Sequence, residues 1–341
     1  MLPNLPRLRQ DGGGCFVHLW HWLSREEIIM PTERNTEIVT VAAVRGAKDA
    51  EAILFNEKQQ IFSLRTQEKS RPELLGRLRE AVKKSEPLRA VLNPSKGVIQ
   101  RIGTLEPGEV EEFRRNRKLL EKPAKSVAIN INEIDPTVFN LVDRKLKWPA
   151  FKLCKKTLPS YVKAREIFDF CANQSCSLPG PYAISPCIPF QYVIDGCYAR
   201  AHKMRKIITE KYGYCCEKVF SFANQNNDTL AVQANKWGGC CVLWWYHVAP
   251  LVRVRIKLLS VSIELAMVID PGMFDKPVLL SSWLSAQKNT ACSANANVSM
   301  YSIQPGSAYS PANYAGTQFT TDPNYTATDA TLISYQNLTT C

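Results

Sequence analysis

The chain has 341 residues, 45% of them apolar and 22% charged, which allows one large core or two modest ones and makes two domains the expectation. No apolar run reaches the roughly 18 residues that a bilayer-spanning helix needs, because the longest, 240–254, is broken by His247, Pro250 and Arg253, so no membrane span is expected. The net charge of +12 is spread over helix-like faces and a connector without interleaved aromatics, which argues against nucleic-acid binding.

Residues 1–34 stay unassigned: Arg7 and Arg9 precede a short apolar stretch, Cys15 to Leu23, that reads as a signal remnant yet holds His18 and His21. From Thr36 the chain reads as short strands, Ile38 to Val44, Glu51 to Phe55 and Gln60 to Leu64, separated by polar breaks. Pro72 suits a first helical turn, and Leu74, Leu75, Leu78 and Val82 follow at helical spacing. A strand pair, Leu88 to Leu92 and Val98 to Ile102, brackets the turn Asn93-Pro94-Ser95-Lys96-Gly97, and a second helix runs from Pro107 to near Leu120. Residues 35–120 thus make a small α+β unit.

Between 121 and 156 the periodicity is lost and basic residues gather (Arg144, Lys145, Lys147, Lys152, Lys155, Lys156). This stretch is expected to be a basic linker open to trypsin-like cleavage, with a solvated loop or helix face as the plain alternative. Residues 157–341 form the second domain, which begins with a helix over Tyr161 to Asn173. Beyond Lys288 there is no Lys, Arg or Glu, and this polar tail, closing on Cys341, is expected to be loops tied onto a core.

The twelve cysteines include no Cys-x-x-Cys but two adjacent pairs, Cys215-Cys216 and Cys240-Cys241, which favours disulfides over zinc and therefore a secreted, extracellular protein. Setting aside Cys15 and a free Cys197 leaves ten, enough for five bridges.

Asp195-Gly196 forms a boundary after which Cys197, Ala201, Met204 and Ile208 recur at helical spacing, so Cys197 heads a helix. Unpaired N–H groups and the dipole there stabilise a thiolate and can donate to an oxyanion, although a buried or bridged cysteine is the structural alternative. A cysteine nucleophile needs a base, and the chain has four histidines. His18 and His21 lie in the unassigned segment, and His202 stands about 140° around the helix from Cys197. His247 remains, in the stretch 241–254 that reads as one buried strand. The next apolar strand, Leu265 to Ile269, ends in Asp270-Pro271-Gly272. Two antiparallel strands turning near 257–261 would put His247 and Asp270 at one end of the sheet, while a plain turn role for Asp270 also fits. Trp244, Trp245 and Tyr246 alternate beside His247; Trp245 and Tyr246 are the substrate-binding candidates, with core packing as the competing role.

The segment Asp195 to Met204, the run Tyr246-His247-Val248-Ala249 and the turn Ile269-Asp270-Pro271 together resemble the secreted bacterial protein glutaminases, which deamidate glutamine side chains within proteins. Cys176, Cys187-Ile188-Pro189-Phe190 and Cys216-Glu217-Lys218 extend the likeness from about 160 to the end. Pro87 to Phe113 is similar to the family's pro-region. The resemblance implies an α+β fold with a transglutaminase/papain-like cysteine hydrolase core, a helix-borne nucleophile, an antiparallel sheet and a small α+β pro-domain ahead of it.

It also implies a zymogen whose pro-domain covers the cleft until an activating protease cuts the linker, and a triad of Cys197, His247 and Asp270 acting on protein-bound glutamine. The expected partners are proteins or peptides with exposed glutamine, the chain's own pro-domain and that protease, with a monomeric enzyme and no metal or organic cofactor. Transfer to an amine, as in transglutaminases, a cysteine peptidase and an inactive binding or inhibitory protein on the same scaffold are the alternatives.

Overall fold

The computed structural model describes residues 36–46, 51–64, 71–117, 154–258 and 261–341; the expectations for 1–34 and for most of the basic linker lie outside them. The first elements are β1 (Thr36–Gly46), β2 (Glu51–Phe55), β3 (Ile61–Leu64), α1 (Arg71–Lys84), β4 (Pro87–Asn93), β5 (Val98–Gly103) and α2 (Pro107–Asn116). The five strands close into a barrel in the order β1-β2-β3-β5-β4. Alternation explains the closure, because Val39, Val41, Ile53, Phe55, Phe62 and Leu64 all fall on the inner face. α1 covers the barrel by adding Leu78 and Ala81 to that core, and α2 buries no side chain.

The second group of elements comprises β6 (Thr157–Leu158), α3 (Tyr161–Ala172), α4 (Cys197–Lys206), β7 (Glu217–Phe222), β8 (Leu230–Gln233), β9 (Cys241–Trp244), β10 (Tyr246–Leu258), β11 (Val261–Val268), β12 (Val278–Leu279), α5 (Leu280–Ser285), β13 (Met300–Pro305), β14 (Ala308–Pro311), β15 (Phe319–Thr321) and α6 (Thr326–Tyr335). The main sheet runs β12-β11-β10-β7-β13 with antiparallel neighbours, and β6 pairs parallel to β10. Apolar clusters cover both faces, one with α3 and α4, the other with α5, which is why β7 is buried at every position. Asn35–Cys341 is a single compact unit.

Four expectations change. The stretch 241–254 is two strands: β9 pairs with β8 in a separate ribbon, and β10 belongs to the main sheet. The break falls at Trp245, whose N–H goes to the carbonyl of Gln59 (3.3 Å) and whose own carbonyl accepts from Ala223 (2.8 Å). The tail is also more ordered than expected. It supplies β13 to the main sheet and α6 against α4, and its lack of charge reflects buried residues such as Tyr309, Phe319, Leu332 and Tyr335.

Among the described residues four disulfides form rather than five: Cys154–Cys215, Cys176–Cys187, Cys240–Cys341 and Cys241–Cys292. Cys171 and Cys216 remain free thiols because each is enclosed by the core of the main sheet; burial pushes the Cys216 thiol up to about 12. Finally, the last residues of the expected linker belong to the fold. Lys155 donates its N–H to Gly213 (2.8 Å) and accepts from Cys215 (2.9 Å).

Candidate functional site

Cys197 is the first residue of α4, and Gly196 before it has φ of 80°. A side chain there would be strained, and a Cβ would meet the Tyr335 ring at 2.9 Å, so only glycine fits. The approach to the helix is held by Arg200, whose Nη1 donates to the carbonyls of Tyr192 and Asp195 at 2.6 Å each. Cys197 is buried. That burial pushes its thiol well above the ordinary value, against the opposing pull of the Arg200 charge.

His247, the second residue of β10, is paired with Ser221 of β7. Its ring lies nearly parallel between two indoles, Trp244 at 4.6 Å and 13°, and Trp283 of α5 at 5.2 Å and 23°. Nε2 meets Asp270 Oδ2 at 2.8 Å, and the Trp283 N–H donates to the same oxygen at 2.9 Å. The β10–β11 ladder makes this meeting possible. It runs from Leu258 opposite Val261 to Leu251 opposite Val268, and Ile269 then donates to Pro250. Cys197 and His247 are both brought to a third group, the Gln59 carboxamide.

Burial holds the His247 ring below its ordinary pKa, with Asp270 pulling it back. For Asp270, burial acts upward, but His247, Trp283 and Arg200 together leave the carboxyl lower than usual. The ring is thus neutral, with its proton on Nε2 facing Asp270 and Nδ1 free to accept.

The other expected residues are also placed. Trp245 is fully buried, and its indole N–H donates to the carbonyls of Phe55 (3.2 Å) and Lys58 (2.7 Å). Tyr246 is fully buried in the core that also holds Cys197, in a T-shaped contact with Trp245. His202 does not join the site: its ring meets the Asp322 carbonyl at 3.0 Å and Lys218 Nζ at 2.7 Å.

Sequence reasoning missed the turn between β2 and β3. Asn56, Glu57, Lys58 and Gln59 look like a polar break, but all four are buried, as is Gln60, and Gln59 is 0% exposed. Gln59 N–H donates to Asp195 Oδ1 (2.8 Å), its Oε1 accepts from Cys197 N–H (3.2 Å), and its Nε2 donates to His247 Nδ1 (3.0 Å). Lys58 Nζ lies 2.5 Å from Glu37, 3.4 Å from Asp195 and 2.6 Å from the Tyr335 hydroxyl, which donates to Asp195 in turn. Glu57 pairs with Arg117 at 3.1 Å. No local signal marks these contacts, because each partner in the second half lies more than a hundred residues away.

Among the described residues no group of three or more His, Cys, Asp and Glu side chains is placed to hold a metal, and no helix is long and apolar enough to cross a membrane. A groove of about 650 Å³, lined by residues such as Arg45, Lys96 and Leu243, does not include Cys197, His247 or Asp270.

Residues 164–287 match a family model described as glutaminase. The chain is 29% identical to a crystal structure of pro-protein-glutaminase over 89% of its own length and 93% of that chain, with a TM-score of 0.66. A mutant of pro-protein-glutaminase gives the same identity and coverage with a TM-score of 0.65. The protein-glutaminase of Chryseobacterium proteolyticum, solved by NMR, is 37% identical over 55% of this chain and 92% of that one, with a TM-score of 0.46. No protein of curated function matches the chain.

Proposed function

The chain belongs to the protein-glutaminase family in its pro-form, and from that premise we propose that it is the precursor of an enzyme that converts glutamine side chains of proteins to glutamate through a thioester on Cys197. Residues 35–120 are the pro-domain, 121–153 the linker that is cut, and 154–341 the catalytic domain, with a transglutaminase/papain-like arrangement of helix, strand and turn. The four disulfides support an extracellular destination.

One observation carries the reading: a glutamine carboxamide sits with its oxygen on the Cys197 N–H and its nitrogen on His247 Nδ1. In the reaction His247 Nδ1 takes the thiol proton and the sulfur attacks the carboxamide carbon. The Cys197 N–H, at the positive end of α4, donates to the oxyanion that forms. His247 then passes its proton to the departing ammonia, and water activated by the same nitrogen hydrolyses the thioester. Asp270 fixes the ring tautomer and supports the imidazolium while it exists. Trp245, which holds main-chain carbonyls of the covering turn, would hold those of a substrate in the same way, with Tyr246 packed behind it.

The test is ammonia release from casein, a blocked glutamine dipeptide and free glutamine, before and after limited proteolysis. Release from the protein should rise on cutting and vanish in Cys197→Ala and His247→Ala with folding intact. Crosslinked casein in place of ammonia, or new protein N-termini, would replace deamidation with amine transfer or peptidase action. An uncut chain as active as the cut one would remove the zymogen.

A further inference from the structure

We propose that Gln59 is a modification site of this chain: its own Cys197 attacks the Gln59 side chain and converts the residue to glutamate. This rests on the reading of Cys197 and His247 given above. The motive is chemical economy, since a covering turn needs only bulk to block a cleft. A buried carboxamide is costly unless every polar atom is partnered, and Leu or Met would fill the space without that cost.

Gln59 is instead met atom by atom. Its N–H donates to Asp195, its carbonyl accepts from Trp245 N–H, its Oε1 accepts from Cys197 N–H and its Nε2 donates to His247 Nδ1. The orientation is also the reactive one. The oxygen lies at the helix head, where negative charge would be stabilised, and the nitrogen lies against the atom that must protonate it as it leaves. The flipped amide would set an NH2 group against the Cys197 N–H, donor on donor. The turn is clamped around it by Lys58 with Glu37 and Asp195, Glu57 with Arg117, and Asn56 Nδ2 with the Ala312 carbonyl, so attack is intramolecular and pre-aligned.

The step balances without any oxidant. The Cys197 proton moves to His247 Nδ1, the Sγ–Cδ bond forms, and the Cδ–Nε2 bond breaks as that proton leaves with ammonia. Water then adds to the thioester and its proton returns through His247 to the thiol. The net change at position 59 is glutamine plus water to glutamate plus ammonia. The product carboxylate faces His247 Nδ1, where it accepts rather than donates, so the covering turn passes from a substrate-like amide to a product-like acid.

Peptide mass mapping of the purified full-length chain tests this, with residues 56 and 60 of the same peptide as internal controls. The expected result is acid at position 59, or a hydroxylamine-sensitive thioester between positions 59 and 197, in the wild type. Cys197→Ser and His247→Ala should retain the amide, and circular dichroism should show both folded. A Gln59→Asn variant, one methylene shorter, should also retain its amide. The proposal is overturned if residue 59 remains glutamine in a wild-type chain whose protease-treated form releases ammonia from casein, which leaves the enzyme reading standing. It is equally overturned if Cys197→Ser converts residue 59 at the wild-type rate. Conversion that depends on Cys197 without any release from casein would uphold the proposal and sink the reading of proteins as substrates.

Discussion

At Cys197 the covering turn and the thiol act on each other. Burial is what holds the thiol well above its ordinary pKa, so exposing the cleft should lower it. The rate of iodoacetamide alkylation as a function of pH should therefore shift to lower pH after limited proteolysis; an unchanged profile would mean that the turn is not the cause. Trp283 offers a second check, because it both stacks on His247 and donates to Asp270. Trp283→Phe keeps the stack and removes the N–H, and kcat should fall on the order of tenfold with KM little changed. The contact of His247 with Asp270 was legible because the chain offers four histidines and ends its next strand on Asp270. Trp283 was not, because nothing in its neighbourhood marks it as a partner of a carboxylate 13 positions earlier.

Elements impose their own requirements on this chemistry. The head of α4 depends on the left-handed Gly196 pressed against Tyr335, and Gly196→Ala should cost about 1–3 kcal/mol in urea unfolding. α2 is capped by Arg117, which reaches Glu57 in the covering turn. Arg117→Ala leaves that buried carboxylate without its ion pair and eases opening of the turn by about 1–3 kcal/mol. The uncut chain should then gain activity on the order of tenfold while the cut enzyme stays unchanged; equal gains in both would place Arg117 outside the inhibitory contact. The strands β1 to β5 were readable as short runs between polar breaks and around the Asn93–Gly97 turn, and α3 as a helix over Tyr161 to Asn173. The turn after β2 was not, since whether Asn56 to Gln60 meet water or Asp195, Cys197 and His247 is decided by the far end of the chain. The split between β9 and β10 was hidden for the same reason, because Trp245 leaves its ladder to bind that turn.

For the whole molecule, the buried histidines set an acid limit. His202 is held far below its ordinary pKa by burial, with Lys218 and Arg205 beside it, and His247 is lowered by burial too. Both start from an ordinary value of 6.5, so below that pH the unfolded chain binds protons that the fold refuses. Stability should fall by about 1.4 kcal/mol per pH unit for His202, His247 adds to the loss in the same direction, and Asp270, whose carboxyl is lowered in the fold, adds to it only in stronger acid. Urea midpoints between pH 7 and 5 check this, and a flat series would contradict it. The tail was misjudged at this scale because a segment without charges but rich in Ser, Thr and Tyr reads alike as loop or as buried strand. The cysteine count failed for a related reason: parity says nothing about which thiols the core encloses.

Under the proposed activation by cleavage, the Cys154–Cys215 bridge decides which scission can liberate the enzyme. A nick after Lys155 or Lys156 leaves the two pieces covalently leashed, and the Lys155 main chain is engaged with Gly213 and Cys215 on both sides, so it resists entry into a protease. Only a nick upstream of Cys154 lets the inhibitory piece diffuse away. Active material should therefore begin before Cys154 by N-terminal sequencing. A product cut later should migrate as one band on a gel without dithiothreitol, as two bands with it, and remain covered.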